Sequence, residues 1–233
     1  MADPEHLKVA QSGPEAFALW RAQNPNVSLD LEEADLSGVD LRGARIRDAN
    51  LRHCNLSGAH LSRASLSGAD LQESVLTAAN LSHGTLSGAN RTNANLTNVS
   101  LFWADLKNCN LRGATLRWSR MMRASFLGTD LTAADISQAT MIEVDLRSAI
   151  LIGARFQSSN MNGADLSRAT MDGADFTLAM IRDSMWVAAD LRGANFDRAS
   201  LHRSDMDKAK FDTTTIFPKG FDPYSTGNRE VKG

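Results

Sequence analysis

The residues of this chain best suited to chemistry are its many aspartates, five histidines and two cysteines. Paired carboxylates suit general acid–base catalysis, and three or four converging histidines or cysteines suit zinc. No cluster of these residues has metal-ligand spacing. The sequence also lacks a glycine-rich phosphate loop, a nucleophile elbow and a Cys-x-x-Cys pair. We therefore expect no catalytic, cofactor-binding or metal-binding residues.

A five-residue repeat accounts for most of the aspartates. Every fifth residue from Leu31 to Ile216, 38 positions in all, is large and apolar, with Arg91 as the one exception. A small residue stands two positions earlier, except at Leu29, and Asp or Asn often stands one position earlier, as in Ala34-Asp35-Leu36-Ser37-Gly38. A period of five fits neither an amphipathic helix nor a strand. The pattern indicates a solenoid of stacked units.

This unit closely resembles the repeat of the pentapeptide-repeat family, over about residues 29–218. The resemblance implies an all-β fold, a right-handed quadrilateral parallel β-helix with four pentapeptides in each coil of twenty residues. The large residue and the small one before it would point inward. At about 4.8 Å per coil, about nine coils would form a rod on the order of 45 Å long. Glycines such as Gly38 and Gly43 mark turns that need an unusual φ angle.

The two ends of the solenoid must be capped. Residues 14–23 are expected to form a short helix that plugs the first coil with Phe17 and Trp20. At the other end, Phe217, Phe221 and Tyr224 are expected either to cap the last coil or to form a dimer contact. Aromatic C-terminal ends mediate dimerisation in quinolone-resistance members of the family. The predicted organisation is an N-terminal segment over 1–28, the β-helix over 29–218 and a tail over 219–233.

Composition limits the cellular setting. The formal charge of −2 favours neither nucleic acid nor membrane as a partner. No apolar run approaches the roughly 20 residues of a membrane-spanning helix, and the first residues do not resemble a signal peptide. Cys54 and Cys109 occupy inward positions nearly three coils apart, so they are expected to be buried free thiols. These features favour a cytoplasmic location.

Arg91 interrupts the inward series between Leu71 and Leu111. An unpaired buried charge would cost several kcal/mol. We therefore expect Arg91 to turn outward or to reach a carboxylate through a local distortion.

Residues twenty apart share a face of the predicted solenoid. Face 1 contains Leu31 and Leu51 and carries nine acidic and four basic outward residues, whereas face 3 contains Leu41 and Leu61 and carries three acidic and six basic ones. Face 2 contains Leu36, and face 4 contains Ile46. Some family members imitate the acidic surface of DNA to protect DNA gyrase. One mildly acidic face among four is poor mimicry, so gyrase or topoisomerase protection is the alternative prediction.

Face 3 also carries a candidate interaction patch. Phe102, Met122 and Ile142 occupy the same outward slot in successive coils. Aromatic and arginine residues stand beside them, and Trp118 lies outward on the adjoining face. Outward aromatic, methionine and arginine side chains are typical of interface hot spots, although apolar ladders can also serve coil stacking. The full patch is Phe102, Trp103, Trp118, Arg120, Met122, Arg123 and Ile142.

The sequence thus predicts a non-enzymatic binding or scaffold protein without cofactors. It would present a rigid surface to an unidentified protein partner, with a homodimer as an alternative and with no nucleic acid or membrane bound. A carbohydrate-active β-helix enzyme is a further alternative. It is disfavoured because no insertion between residues 31 and 216 would build a cleft.

Overall fold

The computed structural model describes residues 1–226 and 229–230. The chain begins with two helices, α1 over Pro4–Ala10 and α2 over Pro14–Gln23. A right-handed quadrilateral β-helix follows, built from parallel bridges between residues twenty apart, beginning with Asp30 and Asn50. The only two-residue strands of the described chain are β1, Lys210–Phe211, and β2, Arg229–Glu230, with a 3-10 turn over Pro223–Thr226 between them.

Each corner of the coil is a tight turn that the repeat sequence encodes. In the turn Leu31–Ala34, the Ala34 N–H donates to the Leu31 C=O at 3.0 Å, and Glu33 has a φ of 63°. Glycine suits this left-handed position, and Gly38 adopts it with a φ of 64°. Before the following turn, the Asp35 carboxylate accepts the Ser37 N–H at 3.1 Å. The aspartates of the repeat therefore serve the turns.

Stacked inward side chains form the core. The central residue of every unit from Leu31 to Phe211 is buried. On face 2 the rings of Phe156, Phe176 and Phe196 stack with centroid spacings of 4.8 and 4.9 Å. This confirms the β-helix that the resemblance to the pentapeptide-repeat family implies. Cys54 and Cys109 are buried and free, as expected.

Arg91 does not turn outward, and that expectation was wrong. Its side chain is fully buried, and Nε, Nη1 and Nη2 find no hydrogen-bond acceptor within the described chain. The Arg91 N–H still donates to the Asn110 C=O at 2.8 Å, and Asn90 bridges both neighbouring coils. Turning Arg91 outward would break this pairing. The backbone register therefore holds an unfavourable side chain inside.

The expected register also fails at its last position, Ile216. Asn195 pairs with Ile216, a spacing of 21 residues, and Ile216 is 51% exposed. The extra residue lies in a turn where the Thr215 N–H donates to the Asp212 C=O at 3.2 Å. Phe217 consequently takes the inward place, and its ring stacks on Phe196 at 5.9 Å. A single-residue insertion explains the shift.

The N-terminal helices cap the first coil, which has no preceding coil to bond. The Asp30 C=O accepts the Asp3 N–H at 3.1 Å, and the Asp30 N–H donates to His6 Nδ1 at 3.0 Å. Phe17 of α2 is buried against the core. Helix α2 covers the residues expected to be helical, and the short helical cap is confirmed. Helix α1 was not anticipated.

Aromatic side chains and β2 cover the other end. Phe217 and Phe221 stack at 5.4 Å and pack on the core, while Tyr224 meets Phe211 edge-to-face at 5.4 Å. Strand β2 pairs in parallel with β1 and extends face 1. Of the two roles expected for these aromatics, capping is the one that the structure displays, and dimerisation stays a prediction. Residues 227–228 and 231–233 of the expected tail lie outside the described residues.

Candidate interaction surface

The turn between faces 3 and 4 presents the first part of the patch. Phe102 and Trp103 occupy the two middle positions of the turn Leu101–Ala104, which the Ala104 N–H closes on the Leu101 C=O at 3.0 Å. Trp103 has a φ of 55°, so its indole projects from a left-handed corner position. One coil later Met122 and Arg123 occupy the same positions, because the Trp103 N–H donates to the Met122 C=O at 3.1 Å.

Ring contacts order this corner. Phe102 meets His83 edge-to-face at 5.6 Å and Trp103 at 6.2 Å. The guanidinium of Arg123 lies 5.2 Å from the Trp103 ring centroid, within cation–π range. Arg123 also pairs with Glu143, which lowers the pKa of that carboxyl and raises the pKa of the guanidinium. Each of the two aromatic side chains thus has a ring or cation–π neighbour within the protein.

The apolar side chains of this corner differ in exposure. Trp103 is 49% exposed and Phe102 is 37% exposed. Met122 and Ile142 are partly buried and so less exposed than the two aromatic side chains. The two aromatics are therefore the most exposed apolar side chains of this corner.

Trp118 and Arg120 lie on the opposite side of face 3. Trp118 occupies the turn between faces 2 and 3, where the guanidinium of Arg117 stacks 4.6 Å from its ring centroid. The indole is 50% exposed. Arg120 follows on the strand of face 3 and is exposed. The predicted patch is therefore two aromatic corners with Arg120 between them.

Two further exposed apolar residues, which are absent from the patch predicted from the sequence, extend this surface. Leu178 and Met180 are 49% and 43% exposed. They lie sixty residues after Trp118 and Arg120, and so in the same vertical rows three coils further along. The twenty-residue rule that selected Phe102 and Met122 would have found them, had it been applied to every outward slot.

The three acidic residues of face 3 are already neutralised. Asp40 pairs with Arg42 at 2.6 Å, and Glu143 and Asp183 pair with Arg123 and Arg203. The remaining basic residues of this face are Arg63, Arg120 and Arg182, and none of them forms an ion pair with another described residue. Face 3 thus combines exposed aromatics with unneutralised positive charge.

The model for pentapeptide repeats matches the chain in eight copies, within residues 29–177 and 187–215. The chain belongs to the pentapeptide-repeat family. No curated protein of known sequence matches it significantly.

Several solved pentapeptide-repeat proteins are similar to this one. HetL of the cyanobacterium Nostoc sp. strain PCC 7120, involved in heterocyst differentiation regulation, is 27% identical over 82% of this chain and 92% of its own, with a TM-score of 0.48. QnrB1, a plasmid-mediated fluoroquinolone resistance protein, is 20% identical over 85% of this chain and 92% of its own, with a TM-score of 0.42. A protein of the Arabidopsis thaliana thylakoid lumen is 30% identical over 45% of this chain and 66% of its own, with a TM-score of 0.29.

Two observations concern the titratable groups within residues 1–226 of this pentapeptide-repeat protein. No group of three or more His, Cys, Asp or Glu side chains there could hold a metal ion. Burial raises the pKa of the Cys54 thiol to about 11, and burial likewise raises that of Cys109. Cys54 Sγ donates to the Leu31 C=O at 2.7 Å. Both thiols therefore stay protonated and weakly nucleophilic near neutral pH.

Helices contribute little to the described chain. None of them has the length and apolar character needed to cross a lipid bilayer.

Proposed function

We propose that this pentapeptide-repeat protein is a non-enzymatic, cytoplasmic binding or scaffold protein, and that face 3 binds an acidic segment of a protein partner. The observation that carries the proposal is the pair of exposed aromatic corners, Phe102 with Trp103 on one side and Trp118 on the other, with the exposed Arg120 of face 3 between them.

The energetics of this surface favour a binding role. Large apolar side chains gain by burial in proportion to the area removed from water, and tryptophan and arginine dominate interface hot spots. Trp103 and Trp118 also adopt left-handed φ angles of 55° and 57°. This conformation costs a residue with a side chain roughly 1 kcal/mol relative to glycine. Turn geometry alone therefore gives no reason for a tryptophan at either position.

Preorganisation supports the same role. Each turn of the face is held by backbone bonds to the coils on both sides, as between Trp103 and Met122 at 3.1 Å. A rigid surface loses little conformational entropy on binding. The free charges of Arg63, Arg120 and Arg182 select an acidic partner, because opposite potentials steer association and fix orientation.

Binding experiments with two corner variants test the proposal. Proteins of the native host captured by the wild type are compared with those captured by Phe102→Ser, Trp103→Ser and by Trp118→Ser. The affinity of a genuine partner for the wild type should fall as the salt concentration rises. Each corner variant should lower that affinity about thirtyfold, since an aromatic anchor contributes about 2 kcal/mol or more. The matched control is Val75→Ser on face 2, since Val75 is exposed to the same 37% as Phe102.

The corner variants leave the inward core unchanged, so their melting temperatures should equal that of the wild type. A partner that binds all three variants equally would refute the assignment of face 3. Sedimentation of the purified wild type shows whether the partner is a second copy of the chain.

A second candidate function, gyrase protection through DNA mimicry, rests on the acidic excess of face 1. Several of its carboxylates are neutralised, as Asp70 is by Arg52 at 3.2 Å and Asp130 by Arg112 at 3.0 Å. We therefore expect gyrase supercoiling to be unaffected by the protein, with or without quinolone. Inhibition or rescue at low protein concentration would favour this second function over the first.

A further inference from the structure

A groove lies between helix α2 with its following loop and the first coil of the β-helix. Its volume is about 530 Å³. The charged residues of its wall are three arginines and one aspartate, Arg21, Arg45, Arg47 and Asp48. Pro25, Asn26, Val27 and Ser28 of the loop form much of the remaining wall. The groove is remote in sequence from the aromatic corners of face 3.

Arg21 is a buried cation without a counter-ion. Its Nη1 donates to the Asn24 C=O at 3.0 Å and to the Val27 C=O at 2.6 Å. The side chain is only 8% exposed, and Nε and Nη2 find no acceptor among the described residues. The Trp20 ring, 5.0 Å from the guanidinium, compensates part of the lost hydration.

Burial of Arg21 leaves its charge unbalanced. Desolvation lowers the pKa of the guanidinium, and no nearby carboxylate opposes that effect. A charge held in a medium of low dielectric acts more strongly on a neighbouring ion than a solvated charge does. Arg21 therefore makes the wall of the groove a favourable place for an anion.

Arg45 and Arg47 supply the hydrogen-bond donors that an anion needs. They flank the inward residue Ile46, so both side chains project outward, and both are exposed. Neither forms an ion pair with another described residue. Arginine pairs with carboxylate and phosphate through two parallel N–H donors. Against one carboxylate, Asp48, the three arginines leave the groove with a net positive charge.

We propose that this groove binds a phosphate-bearing small molecule, with Arg45 and Arg47 contacting the phosphate oxygens and Arg21 supplying the buried positive charge. The bound phosphate becomes the counter-ion that Arg21 lacks. Binding therefore also stabilises the junction between α2 and the first coil. This site is independent of the protein-binding role proposed for face 3.

Calorimetric titration of the full chain with pyrophosphate tests the site, at constant ionic strength set with sodium chloride. We expect saturable binding to the wild type. Arg45→Gln and Arg47→Gln should each weaken it about tenfold, the size typical of losing one charge-assisted contact. Arg168→Gln removes the same charge from an exposed turn position six coils beyond the groove and should leave the affinity within about twofold of the wild type.

Hydrogen exchange supplies an independent reading that does not require an Arg21 variant. Pyrophosphate should slow exchange of amides in Pro14–Gln23 in the wild type and in Arg168→Gln, but not in the double variant Arg45→Gln, Arg47→Gln. A parallel titration with ADP identifies the ligand. Equal affinities for ADP and pyrophosphate would identify the pyrophosphate group alone as the ligand. A higher affinity for ADP would identify a nucleotide that also packs on Pro25 and Val27. Absence of binding at matched ionic strength, or equal weakening by Arg168→Gln and Arg47→Gln, would overturn the proposal.

Discussion

Replacing Arg91 with leucine should stabilise the protein by roughly 3 kcal/mol, because it removes a charge that the tube buries without a counter-ion. Desolvation lowers the pKa of this guanidinium to about 10, from an ordinary value above about 12. Each pKa unit corresponds to about 1.4 kcal/mol, which gives the predicted gain. The usual cost of an uncompensated buried charge, about 3–5 kcal/mol, has the same size.

The pH dependence of this gain follows from the sign of the shift. A lowered pKa means that the folded state disfavours the protonated guanidinium, so the unfolded state binds the proton more tightly. The destabilisation by Arg91 is therefore complete below about pH 10 and is relieved only as the pH rises above the pKa of the folded state. The stability difference between Arg91→Leu and wild type should accordingly be constant from about pH 6 to about pH 9.

Equilibrium unfolding in urea measures the effect, provided that the m-value is unchanged. Arg91→Met is a second variant that keeps an unbranched side chain and so separates charge removal from packing. Arg63→Leu serves as the control, because Arg63 is exposed and its replacement should change stability by less than about 0.5 kcal/mol. Lower stability of both Arg91 variants would show that the guanidinium makes interactions that the fold requires, and the reasoning would be refuted.

Three other perturbations test the core and the turns. Leu111→Asp, which buries a carboxylate in the inward series, should cost several kcal/mol in the same unfolding assay; unchanged melting would mean that the inward assignment is mistaken. Ser184→Ala should cost about 1–3 kcal/mol, since the Trp186 indole N–H donates to Ser184 Oγ at 2.7 Å in the core and would lose its acceptor; an unaltered midpoint would contradict this role. The pKa of Asp145 is lowered against the effect of burial, chiefly by hydrogen bonds from Arg147. Its contribution to stability is therefore present above the ordinary aspartate range and lost as the pH falls below about 4. In Asp145→Asn the free energy of unfolding should therefore fall less steeply with decreasing pH in the acid range. An unchanged slope would contradict this role of Asp145.

The architecture was predictable because it depends on periodicity. A central residue every five positions fixes which side chains face inward, and each coil repeats the contacts of the preceding one. The same rule placed Phe102 and Met122 in one outward row. The rule also placed Trp118 on the adjoining face rather than in the outward row of Trp103.

Single positions that break the pattern were not predictable. Arg91 stays inside because the bridges of Asn90 to both neighbouring coils outweigh one unfavourable side chain. Ile216 loses its inward place to Phe217 because the turn after Phe211 accommodates one extra residue and the aromatic ring continues the stack on Phe196. Neither the burial of Arg91 nor the exchange of Ile216 for Phe217 can be read from the local sequence, because each depends on contacts between coils.

The sequence by itself determined the solenoid, its inward series, its glycine-rich corners and the outward slot of the aromatic residues, because these depend only on spacing along the chain. Tertiary structure alone decided how the ends close. Helix α1, the burial of Arg21 under α2 and the pairing of β2 with β1 join segments that are distant in sequence or follow no repeat. Their placement depends on which unpaired backbone groups and apolar surfaces the first and last coils leave uncovered.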